Sequence, residues 1–109
     1  MTDRVVNLLL KDGHLFIPAA AYRDAMVDLL AVAVLWRSPY LHLIPLHPGT
    51  IGGFLLKQRN LAGDRVVDLR LFLRDHELAE NFEGVLSLMW MPEQGAWQTR
   101  QLCPEWPDK

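Results

Sequence analysis

Five cations fall between residues 57 and 74, namely Lys57, Arg59, Arg65, Arg70 and Arg74, against Asp64 and Asp68, so this segment carries a net charge of +3. Clustered guanidinium and ammonium groups attract carboxylates and phosphates, and arginine does so with two parallel hydrogen bonds. Further on, Met89, Trp90, Met91 and Trp97 place thioethers and large aromatic rings on two short apolar runs. Such residues are enriched at surfaces that bind other proteins. A cationic segment and an apolar one together suit an acidic protein partner, and these nine residues are the candidate binding site. Each group also has a plainer reading. The cations could form a solvated face, and the Met/Trp run could be a sheet buried on both sides.

The remaining reactive side chains do not assemble into a recognisable centre. His14, His42, His47 and His76 fall in separate segments, with no Cys-x-x-Cys, His-x-x-x-His or calcium-loop spacing among them. A metal site needs three or four convergent ligands, so none is expected. Ser38 and Ser87 lack the Gly-x-Ser-x-Gly setting of an activated hydroxyl, and Cys103 has no neighbouring base. Gly49, Gly52 and Gly53 match neither phosphate-loop pattern. Glu77, Glu80 and Glu83 read as a solvated helix face and its exit. No catalytic residue and no cofactor is assigned, and the chain is expected not to be an enzyme.

Those groups sit on a chain of 109 residues, half of them apolar and 22% charged, which fits one globular domain spanning 1–109. Net charge is -2, zero over residues 1–56 and -5 over 75–109, a balance unlike that of a dedicated nucleic-acid binder. The longest apolar stretch, Leu29 to Trp36, is far short of the ~20 residues that span a bilayer. The N-terminus lacks the features of a signal peptide, and Cys103 stands alone. The expected location is the cytoplasm.

The elements that must position the candidates read as follows. Val5 to Leu10 and His14 to Ile17 flank Asp12-Gly13, a strong hairpin signal. Pro18 suits a first helical turn, and Ala21, Tyr22, Ala25, Met26 and Leu29 recur at helical spacing. Ala31 to Trp36 and Tyr40 to Ile44 form a second hairpin around Ser38-Pro39. After a loop at residues 47–53, Phe54 to Gln58 and Arg65 to Val67 are strands joined by a turn at 60–64. Asp68 is a candidate N-cap for a helix whose apolar face is Leu69, Phe72, Leu73 and His76. Val85 to Met91 and Ala96 to Leu102 are a last hairpin around residues 92–95. Each half thus runs strand, strand, helix, strand, strand, and Arg23-Asp24 answers to Arg74-Asp75. The expected fold is α+β, with two similar β-β-α-β-β halves, 1–48 and 52–103, in one domain.

Gly13-His14-Leu15-Phe16-Ile17-Pro18, the Ala-rich helix with Arg23, and the hairpin from Val34 to Leu46 resemble the swapped-hairpin module of AbrB and MraZ transcription regulators. That family shows a Gly-Arg-apolar-x-Ile-Pro strand before a short helix, and MraZ-like chains carry two modules. The resemblance covers residues 5–46 by motif and 54–102 by element order alone. It implies a DNA-binding regulator, with a shared hairpin in a homodimer. This chain departs from the pattern where it matters for DNA: His14 stands in place of the arginine, Leu10 in place of an acidic residue, and Asn60 in place of Asp upstream of Arg65. Phosphate neutralisation carries most DNA affinity. The principal expectation is therefore a small non-enzymatic binding or assembly protein that contacts an acidic protein. The alternative is a DNA-binding regulator, and a small hydrolase or transferase comes third.

Overall fold

The computed structural model describes residues 4–26, 29–37, 40–47, 52–78 and 81–99. Alternation dominates the first strand, β1 (Val5–Lys11), in which Val6, Leu8 and Leu10 are buried while Val5, Asn7, Leu9 and Lys11 are exposed. Strict period-two burial is the mark of a sheet with one wet face. Asp12 and Gly13 both take positive φ, at 53° and 75°, so the two-residue turn has the backbone that Asp-Gly favours. It returns the chain as β2 (His14–Ile17), with Lys11 opposite His14. Gly13 is required twice over, because a Cβ there would lie 2.4 Å from Arg70 Cγ.

Helix α1 (Ala19–Ala25) follows Pro18 and runs only seven residues. It stops before Leu29, whose carbonyl instead accepts the Tyr22 hydroxyl at 2.9 Å. Its start is fastened from a distance, since the Ala19 N–H donates to Asp64 Oδ1 at 2.7 Å. At its other end Arg4 Nη2 donates to the carbonyls of Asp24 and Ala25, which the helix itself leaves unpaired. The chain continues through β3 (Ala31–Arg37), β4 (Tyr40–Pro45), β5 (Phe54–Leu55), β6 (Lys57–Gln58) and β7 (Arg65–Asp68). Helix α2 (Arg70–Asp75), β8 (Gly84–Met91) and β9 (Ala96–Thr99) are the remaining elements among the described residues.

The expected α+β fold of two β-β-α-β-β halves is not what forms. Among the described residues, nine strands belong to one antiparallel, nearly closed sheet in the order β5-β3-β4-β9-β8-β1-β2-β7-β6. Neither 1–48 nor 52–103 closes on itself. β1 pairs with β8 over six residue pairs, and β5 pairs with β3. The helices have seven and six residues, too short to cover a sheet as an α layer, so the sheet curls to bury its own inner face. Local periodicity marks which residues are strands; it is silent on which strand sits beside which.

The two ends of the sheet meet in one stretch of chain. Phe54 and Leu55 pair with β3, Lys57 and Gln58 pair with β7, and Leu56 between them is buried. The Leu56 N–H donates to the Leu30 carbonyl at 2.9 Å. Inside lies one core that joins Leu8, Leu10, Leu15, Val32, Leu43 and Leu88 of the sheet to Tyr22, Met26, Phe72 and Leu73 of the helical segments. Met26, Val34, Phe72 and Leu73 are buried, whereas Ala25, Leu29 and Leu35 are half-buried.

Candidate functional site

Helix α2 is placed by Leu69, Phe72 and Leu73, which are buried. Its N-cap is Leu69 rather than the expected Asp68, which closes β7. Asp68 still performs a capping task, because its Oδ1 accepts the Arg70 N–H at 3.1 Å. The same carboxylate receives Arg70 Nε at 3.0 Å and Nη2 at 2.8 Å. This two-pronged bond holds the Asp68 carboxyl well below the usual carboxylate range, with Arg70's backbone N–H adding to the effect. His14 stands 3.9 Å away on the strand alongside. The result is an arginine held in a fixed pose at the first turn of α2.

Arg70, Leu71 and Arg74 then face a cavity of about 360 Å³ whose other walls are Phe54 and Asp68. Arg74 follows Arg70 by four residues, so both guanidinium groups sit on one side of the helix. Leu71 is 66% exposed beside them. Phe54 packs edge-on against Phe72 at 6.1 Å, which fixes the apolar wall to the core. The cavity is therefore lined by two guanidinium groups, that of Arg70 paired with the Asp68 carboxylate, and by the apolar side chains of Phe54 and Leu71. A carboxylate joined to an apolar side chain is complementary to that lining in charge and polarity.

The other predicted cations are placed differently. Lys57 is exposed on β6, and Arg59 just beyond it lays its guanidinium 4.7 Å from the Phe16 ring centre. Arg65 lies 4.4 Å from the Tyr22 ring centre, and its Nε is buried without a hydrogen bond. It acts as a wall of the fold. In the turn between β6 and β7, hydrogen bonds from Asn60 and then Ala19 lower the Asp64 pKa.

The Met/Trp group does not join the cations. Strands β8 and β9 are separated from β6 and β7 by β1 and β2 on one side of the sheet order and by β4, β3 and β5 on the other. Trp97 is 2% exposed and belongs to the core. Trp90 stacks edge-to-face on it at 5.2 Å, and the Arg4 guanidinium lies 5.7 Å from the Trp97 ring. Met89 and Met91 occupy the outer face, half-buried. The two candidate groups are thus separate surfaces, and Trp97 is part of neither.

Other expectations about reactive residues also resolve. Ser87 Oγ donates to Asn7 Oδ1 at 2.5 Å across β8 and β1. His42 is 3% exposed and pairs its Nε2 with Gln98 Oε1 at 2.8 Å, leaving Nδ1 buried without a partner. His76, expected on the apolar helix face, is the exposed C-cap of α2 with its ring 4.4 Å from Phe72. Glu77 and Glu83 are exposed, but both follow the helix, which ends at Asp75. Glu80 and Cys103 lie outside the described residues. Among the described residues no three His, Cys, Asp or Glu side chains gather as a metal site would require, and no helix is long and apolar enough to cross a membrane.

Sequence reasoning overlooked Phe54 and Leu71. Leu71 carried a signal, being an apolar residue off the helix stripe and next to an arginine. Comparisons with protein-family models, curated proteins and solved structures found no match for the chain.

Proposed function

We propose that this protein is a small non-enzymatic binding protein that engages an acidic, leucine-like segment of another protein at the cavity between α2 and β5. The observation that carries the reading is the exposed Leu71 set between Arg70 and Arg74 over a cavity of about 360 Å³. An exposed apolar side chain flanked by guanidinium groups binds through the apolar contact, while the charges set approach rate and partner choice. Trp97, buried in the core, and Trp90, half-buried against it, do not serve as the anchor in this reading.

A second reading has one observation in its favour. Hairpin β8–β9, from the second half of the chain, inserts between β1 and β4 of the first half. Such an exchange accords with the swapped-hairpin resemblance, and hence with a DNA-binding regulator. Duplex DNA would call for cations along the whole contact, and the α2 cavity supplies two.

The test uses fluorescein-labelled peptides in anisotropy titrations: one alternating Glu and Leu, one alternating Lys and Leu, and a short DNA duplex. The Glu/Leu peptide is expected to bind, with affinity reduced about tenfold or more by Leu71→Asp and by Arg74→Glu. Binding of the duplex that is tighter, steeply salt-dependent and indifferent to Leu71→Asp would instead favour the regulator.

A further inference from the structure

The main chain of β1 addresses its two neighbours by turns. The Arg4 carbonyl accepts the Trp90 N–H at 2.9 Å, so Arg4 and Val6 point their peptide groups toward β8. Val5 and Asn7 then point theirs the opposite way, along the line of β2. Lys11 and Leu9, paired with His14 and Phe16, lie on that same side. Carried onward, their register sets Pro18 opposite Asn7. Proline has no N–H to give, and the Pro18 carbonyl accepts the Tyr22 N–H at 2.9 Å. The chain leaves the sheet there and enters α1. Among the described residues, Val5 therefore has no strand beside it on this edge.

A cavity of about 510 Å³ lies where a longer β2 would have run. Val5 and Val6 line it from β1, Ala21 and Ala25 from α1, and Trp97 from β9. Pro18 stands at one end. At the other, Arg4 Nη2 reaches across to the carbonyls of Asp24 and Ala25, at 3.3 and 3.4 Å. Both bonds use one nitrogen, so the donors on Nε and Nη1 stay available.

The walls state what the place accepts. The Val5 N–H and C=O, side by side on a strand edge, are matched by an extended main chain. Ala21 and Ala25 are small, which leaves room for a short side chain turned inward toward Trp97. A segment laid antiparallel to β1, as β2 is, heads toward Arg4, whose side chain bars its further course. A chain end fits there, because its carboxylate meets the available N–H groups of the guanidinium. We propose that the cavity between β1 and α1 binds the C-terminal end of an extended peptide with small apolar side chains. The site shares no residue with the α2 cavity and stands independently of the function proposed there.

Titration of the full, nitrogen-15-labelled chain with the peptide acetyl-Ala-Val-Ala, followed by amide chemical shifts, tests the assignment. In the proposed register the peptide valine lies opposite Val5 and the terminal alanine opposite Arg4. Saturable shifts are expected at Val5, Val6, Ala21 and Ala25, with a dissociation constant of about a millimolar. Methylating the valine nitrogen removes one main-chain donor and should weaken binding about threefold or more. Amidating the C-terminus removes the carboxylate and should do the same. Arg4→Gln should abolish the preference for the free acid over the amide while the N-methyl effect persists. Ala21→Leu, and separately Ala25→Leu, should block binding by filling the cavity, and circular dichroism confirms that each variant is folded. Absence of saturable shifts at these amides up to tens of millimolar peptide overturns the proposal. Equal binding of the free, N-methylated and amidated peptides overturns it as well.

Discussion

Replacing Trp97 with alanine separates a core residue from a binding residue. The ring is 2% exposed, with Trp90 stacked against it at 5.2 Å. Truncating a buried tryptophan removes its transfer free energy and leaves a cavity that the surroundings fill only in part, at a typical cost of about 3–5 kcal/mol. Set against a domain stability of about 5–15 kcal/mol, a loss near 4 kcal/mol leaves Trp97→Ala marginal at room temperature. For a chain of this size the melting temperature should fall by about 15–25 °C. Trp90→Ala removes a half-buried ring and should cost about 1–2 kcal/mol. The doubly substituted protein should recover about 0.5–1.5 kcal/mol of coupling, the worth of the edge-to-face pair. Urea denaturation followed by tryptophan fluorescence and circular dichroism supplies all three values. A loss below about 1 kcal/mol for Trp97→Ala would refute the placement of this ring in the core.

Leu73→Ala, at a fully buried position on α2, should cost about 2–5 kcal/mol in the same urea assay. Gly13→Ala combines a positive φ with a Cβ 2.4 Å from Arg70 Cγ, so it should cost more than the ~1 kcal/mol of the backbone penalty alone; thermal melts of Gly13→Ala and Gly13→Asn should rank Asn as the milder of the two. Asp68, its pKa lowered by Arg70, stabilises the fold above the unfolded-state carboxylate pKa of about 4, and that contribution disappears as pH falls through the folded value. With the side chain 45% exposed the effect is small. Urea midpoints of wild type and Asp68→Asn should therefore differ at pH 7 and converge in strong acid. A difference that widens in acid would contradict the sign.

Which parts of this architecture are readable in the chain depends on how local their cause is. Asp12-Gly13 dictates its hairpin because the turn conformation belongs to those two residues. The side-by-side placement of Leu69, Phe72 and Leu73 likewise follows from local periodicity. Strand neighbours do not. Val5 meets Met89 and Phe54 meets Val32 through packing choices distributed over the whole core, and no short segment encodes them. The same gap divided the candidate site: the cations and the Met/Trp run follow each other in sequence, yet the sheet order sets them apart. Leu9 and Val85 sit among apolar neighbours, where a run such as Leu8-Leu9-Leu10 hides which member faces out.

The exchange between β1 and β8 also bears on how the chain is made. Val5 lies opposite Met89, 84 residues later, so during synthesis β1 has β2 beside it long before its other neighbour has left the ribosome. The free side of β1 waits through most of translation. Closing so long a loop carries a large entropic cost that local contacts do not offset, and sheets built on distant pairings fold slowly. Until β8 and β9 arrive, β1 and β4 each keep an open, apolar-flanked edge, the feature that chaperones and misassociation both exploit. Ribosome-bound chains truncated before residue 84 should accordingly remain protease-sensitive, and protection should appear in a single step once β8 and β9 are exposed.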